Sequence, residues 1–137
     1  MELSRMSSFL RRVLVADATT SGACGLLMVF GSGFLERLLG VPAAVLVSAG
    51  ILLFPFAGFV AYLATREHLH RPSLWAVIAC NALWAIDSIA LLLFGWLEPT
   101  LLGNAFVVAQ ALVVGAFAEL QYFGLRRSVA TARGTGA

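Results

Sequence analysis

Apolar positions along the chain fall into four long runs separated by short polar breaks. The runs cover residues 13–35, 42–64, 73–97 and 101–125. Each is close to the roughly 20 residues that an α-helix needs to cross the hydrocarbon of a bilayer. The breaks at 36–41, 65–72 and 98–100 leave no room for a soluble domain. Helix is predicted over strand, because a segment in lipid must satisfy its own backbone hydrogen bonds. The runs are also too long and too continuously apolar for barrel strands. Pro42 and Pro72 stand at predicted helix starts, where a missing N–H does no harm. Pro55 lies inside the second run and predicts a bend there. Residues 128–137 are small and polar and read as a flexible tail. The predicted fold is an all-α membrane protein, a single four-helix transmembrane bundle.

Composition strengthens this reading. Of 137 residues, 61% are hydrophobic and 12% charged, about half the charge of a soluble domain. The N-terminal run resembles a signal peptide, but Asp17, Thr19 and Thr20 interrupt it. The residues after Cys24 continue an apolar span, so the segment reads as retained rather than cleaved as a lipoprotein leader. A net charge of +2 gives no reason to expect nucleic acid as a partner.

Charge placement predicts orientation. Arg5, Arg11 and Arg12 precede the first run, Arg66 and Arg71 lie in the middle break, and Arg126, Arg127 and Arg133 follow the last. Only Arg37 falls on the other side. The positive-inside rule then puts both termini in the cytoplasm. All nine basic residues are Arg, which fits a GC-rich bacterial genome and hence a bacterial inner membrane. Trp75 and Trp96 bracket the third run, roughly 31 Å apart along a helix, where indole rings favour the two interfaces.

The two halves resemble each other. A shift of 64 residues lays Phe30-Gly31 on Phe94-Gly95 and Asp17-Ala18 on Asn81-Ala82. Each half holds two spans, so the copies would share one orientation in a parallel two-plus-two repeat. Chance similarity between Leu-, Gly- and Ala-rich segments gives the same match, so duplication and coincidence both stand at this level.

Intramembrane polar residues are the candidate chemistry, since charged groups in a span are costly and face protein or water. Asp17, Thr20, Ser21 and Cys24 share one helical face. Asn81, Trp84, Asp87 and Ser88 share another, and Asn104, Ala111, Gly115 and Glu119 a third, bordered by Gln110 and Gln121. The second span presents mainly Phe54, Phe56 and Phe59 and reads as facing lipid or a partner. Counting helical rise places Asp17, Asn81 and Glu119 roughly 6–12 Å from the cytoplasmic edge, and Asp87 and Gln110 roughly 13–15 Å from the outer edge. The expectation is an inner cluster of two acids and an amide, and an outer pair in which Gln110 bonds Asp87. Two close acids would share a proton, the chemistry of a proton- or cation-coupled carrier. Alternatively, Arg11, Arg12, Arg126 and Arg127 snorkel back and neutralise Asp17 and Glu119.

Other features point nowhere specific. His68 and His70 form an H-x-H pair with no evident third ligand, so a solvated loop is expected and no metal site. Arg66, Arg71 and the two histidines can touch anionic headgroups. Cys24 and Cys80 read as packing residues. No catalytic motif is present, and no cofactor is expected. The expected partners are the lipid bilayer and either a second copy or another membrane protein.

The stretches Asn81-Ala-Leu-Trp-Ala-Ile-Asp-Ser88 and Ala118-Glu-Leu-Gln-Tyr-Phe-Gly-Leu-Arg-Arg127 resemble a group of uncharacterised small bacterial membrane proteins with four predicted spans. The resemblance covers residues 11–127 and implies no activity. In size and span count the chain is also similar to the small multidrug resistance transporters and the DoxX-like proteins. The former place a coupling carboxylate in the first span, where Asp17 stands, but nothing else of their pattern is present.

Overall fold

In the computed structural model, which describes residues 5–135 and their side chains through residue 128, the chain forms five helices. They are α1 (Ser8–Phe30), α2 (Ser32–Leu39), α3 (Ala43–Ala64), α4 (Arg71–Leu93) and α5 (Leu101–Thr135). Four of them, all but α2, are long and apolar enough to cross a membrane. The protein is an all-α, multi-pass membrane protein built as a four-helix bundle. The only β-type pairing among the described residues is a single bridge between Arg5 and His68.

Helix ends follow local chemistry. Ser7 caps α1 by accepting the Leu10 N–H on its hydroxyl, so α1 begins five residues before the predicted span. It also ends earlier, at Gly31, and the predicted 13–35 span breaks there. The residues beyond form α2, a separate short helix with Leu35 and Leu39 buried and Phe34 and Leu38 exposed. Gly40, at φ 71°, ends α2 in the left-handed conformation that favours glycine. Pro42 then precedes α3, which continues helical through Pro55. Gly95, also at φ 71°, follows the end of α4, so Trp96 and Leu97 lie beyond the helix and not within it as the sequence suggested. The stretch read as a tail continues α5 as helix to Thr135; residues 136–137 of it lie outside the described residues.

Two antiparallel hairpins make the bundle. α1 packs most extensively on α3 and α4 on α5, while α1 and α5 join the hairpins. The inward stripes step by three and four residues. On α3 the buried positions include Leu46, Gly50, Leu53 and Val60; on α1 they include Leu10, Leu14, Asp17, Ser21 and Met28. Gly25 and Gly50 let the backbones of α1 and α3 approach, since a Cβ on Gly25 would lie 3.2 Å from the Gly50 carbonyl. α3 and α4 make the sparsest contact of any touching pair.

The start of α1, Ser128 of α5 and the α3–α4 loop share one end of the bundle. The Met6 N–H donates to the Glu67 carbonyl at 3.0 Å, and the Ser7 N–H to Ser128 Oγ at 3.0 Å. At the far end, Thr100 ties the α4–α5 loop to α2 through the Leu38 and Leu39 carbonyls. Aromatic side chains collect at both ends. Tyr62, Trp75 and Tyr122 are exposed near the first; Phe30, Phe34, Phe94 and Trp96 are exposed near the other. Two such belts match the interfaces of a bilayer.

Candidate functional site

Asp17 is 1% exposed and sits near the middle of α1. Its carboxylate accepts from three side chains. Ser21 donates its hydroxyl to Oδ1 at 3.1 Å; Asn81 Nδ2 and Gln121 Nε2 donate to Oδ2 at 2.8 and 2.6 Å. Asn81 also donates to Gln121 Oε1 at 2.9 Å. The resulting triangle ties α1, α4 and α5 together. An ionised carboxylate is an acceptor only, and the two amides meet it with their N–H groups. Among the described residues, no buried side-chain polar atom is left without a partner. In a low-dielectric interior, that closure separates a stable polar network from a costly one.

This inner cluster differs from the expected one in one member. Asp17 and Asn81 meet, but Glu119 is exposed on the outside of α5 and Gln121 takes its place, fully buried. The cause is helical register. Buried α5 positions run Val107, Ala111, Ala118, Gln121 and Leu125, a track in steps of three and four. Reading from Asn104, which is exposed, turns the face by a residue and brings Glu119 inward in error. Following the smaller residues Gly103, Val107, Ala111 and Ala118 along the helix, the kind that line helix contacts in a membrane, would have led to Gln121.

Among the described residues, no arginine pairs with Asp17 or Glu119. Arg11 instead donates to the Ala64 and Arg66 carbonyls at 2.9 and 3.1 Å, closing the C-terminus of α3, where a cation suits the helix dipole. Arg66, Arg126 and Arg127 lie over the rings of Tyr62, Tyr122 and Phe9. Neutralisation by snorkelling arginines is therefore replaced by amide donors on Asp17 and by aromatic faces under the arginines.

Beyond the triangle, towards the far end, lies a cavity of about 380 Å³. Asp17, Thr20, Ser21 and Cys24 line it from α1, and Trp84, Asp87 and Ser88 from α4. Both polar faces read from the sequence thus converge on one space. The expected Asp87–Gln110 bond is not formed. Gln110 Oε1 accepts the Trp84 indole N–H at 2.9 Å, and its amide donates to the Val107 carbonyl at 3.0 Å. Asp87 stands on the exposed edge of α4, six residues before the helix end at Leu93, or about 9 Å along the axis. It is nearer that end than the sequence count gave, because α4 stops at Leu93.

At the opposite end, residues of the α3–α4 loop and Met6 surround a second, more polar hollow. His70 caps α4 by accepting the Ser73 N–H and pairing with its hydroxyl, and the His68 backbone bridges Arg5. Both histidines thus have local structural partners. No group of three His, Cys, Asp or Glu with metal-binding geometry occurs among the described residues. Cys24 is half-buried, Cys80 is exposed, and both are free thiols.

Comparison with protein-family models, curated proteins and solved structures gives no match to this chain.

Proposed function

We propose that the protein is a non-enzymatic accessory or assembly subunit of a bacterial inner membrane, of the small four-span group its third and fourth spans resemble. Both termini would lie in the cytoplasm, and it would work beside a second copy or another membrane protein. The observation that supports this most is the closed Asp17–Asn81–Gln121 triangle. A coupling acid must exchange protons or ions with water, whereas this one is buried and accepts from three side chains that hold three helices together. The arginine asymmetry supports the orientation: Arg5, Arg11, Arg12, Arg66, Arg71, Arg126 and Arg127 gather at the terminal end, and Arg37 sits on α2 at the far end.

A second reading, a small proton- or cation-linked carrier, draws on Asp87, which lines the cavity rather than the network. Liposome reconstitution separates the two. For an accessory subunit, Asp17→Asn lowers the unfolding temperature, and the wild type carries no pH-gradient-driven flux of monovalent cations or amines. Gradient-driven flux that Asp87→Asn abolishes in a folded protein would establish the carrier instead. Orientation is checked by labelling in intact cells, on a background with Cys24 and Cys80 replaced by Ala. A cysteine at position 37 should react with an impermeant maleimide from outside, and one at position 66 only after permeabilisation.

A further inference from the structure

The cavity has an open side. Leu52 and Val45 on α3 and Asp87 on α4 all line it and are all exposed. α3 and α4 barely touch, so the opening lies between them and faces the lipid. Inside, the walls are apolar and aromatic, with Trp84, Phe106 and Phe117 among them. At about 380 Å³ the space lies near the low end of small-molecule sites, which span roughly 300–1,000 Å³. It is small for a two-chain phospholipid.

Most polar groups around the cavity are already engaged. Asp17 accepts three hydrogen bonds, one of them from Ser21. Ser88 donates to the Trp84 carbonyl at 2.7 Å, and Gln110 holds the Trp84 indole. Asp87 remains as the cavity acid whose polar neighbours are committed elsewhere. A carboxylate at this depth is costly without a counter-charge. Trp84 lies one helical turn before it on the same face of α4 and lines the same cavity. A carboxylate beside aromatic faces is a setting that favours an organic cation. The other walls favour an apolar body. Anionic lipids are opposed by charge, and the phosphate of a zwitterionic headgroup would be repelled by Asp87 as well.

We propose that the cleft between α3 and α4 binds a single-chain cationic amphiphile, with its head at Asp87 and its chain against the apolar wall of α3. Such a site serves an accessory subunit and a carrier alike.

The test uses the full chain, one copy per phosphatidylcholine nanodisc, with dodecyltrimethylammonium as probe and dodecanol as its uncharged counterpart. Lipid partitioning is measured on empty discs and subtracted. The expected result is saturable binding of one cation per chain, with dodecanol at least about tenfold weaker. Asp87→Asn should weaken the cation about tenfold and leave dodecanol unchanged. Ala49→Phe, which fills the cavity from α3, should weaken both. Binding no greater than in empty discs overturns the site. Equal affinity for cation and alcohol in the wild type overturns the role of Asp87 even if the Asn variant fails to fold. A probe that binds only until a second copy enters the disc, with cross-links between cysteines at position 52 of the two copies, assigns the cleft to self-association and overturns the ligand.

Discussion

Asp17 lies in a span without a cation beside it, and its neighbours explain how. Two amides and a hydroxyl supply dipoles in the directions that a carboxylate accepts. Each amide is held in turn, because Asn81 bonds Gln121 as well as the acid. Removing one member therefore strands the others. Gln121→Leu takes a donor from Asp17 and an acceptor from Asn81, and should destabilise the fold by about 1–3 kcal/mol. Glu119→Gln, two residues away but on the exposed face, should change stability by less than about 0.5 kcal/mol. Unfolding by dodecyl sulfate titration in mixed micelles measures both, and equal effects would deny the network its structural role. Asp17 and Asn81 were legible because a charge and an amide in apolar runs stand out. Gln121 was seen only as a bordering residue, because Gly115 and Glu119 fit almost as well when the helical phase is set from Asn104. The Trp84–Gln110 bond was not legible, since an indole N–H reads as apolar until its partner is placed.

At the scale of elements, four of the five helices were plain from hydrophobic length. α2 was not. Phe34, Leu35, Leu38 and Leu39 continue the apolar pattern, and only Gly31 and Gly40 mark where one helix becomes two. Close packing at the far end fixes that element. A Cβ at Gly103 would overlap the Leu39 carbonyl of α2, a backbone atom that no rotamer change moves. Gly103→Ala should therefore push α2 off α5 and destabilise by about 1–3 kcal/mol, as overpacking does. Gly115 lies in the same helix with nothing within 4 Å of its added Cβ. Gly115→Ala should be neutral or stabilise by up to about 1 kcal/mol through helix propensity. Thermal unfolding in detergent compares the two. Hydrogen exchange at residues 32–39 should rise only in the first variant, and unchanged exchange there would show that α2 does not depend on the contact.

At the scale of the whole molecule, the 64-residue shift read from the sequence can be laid on the two hairpins. Moved by that amount, α1 maps to 72–94, one residue from the observed bounds of α4. Asp17 and Asn81, which the shift superimposes, are hydrogen-bonded to each other. Two equivalent positions meet in this way when an axis relating the halves passes between them. The likeness is incomplete, because α2 maps to 96–103, where the helix begins only at Leu101. If the two positions are equivalent in space, acid and amide can exchange places. Asn81→Asp alone sets two carboxylates together and removes a donor; Asp17→Asn alone removes the acceptor that organises the triangle. Each should lower stability by about 1–3 kcal/mol. In the double variant, the new amide at position 17 donates to the new carboxylate at position 81. The Gln121 amide turns over, giving its N–H to position 81 and accepting from position 17. The double variant should return to within about 1 kcal/mol of the wild type, a coupling that independent sites do not show. Additive losses in a four-member unfolding cycle would mean that the match of Asp17 with Asn81 is sequence coincidence and that the polar triangle has one permitted handedness.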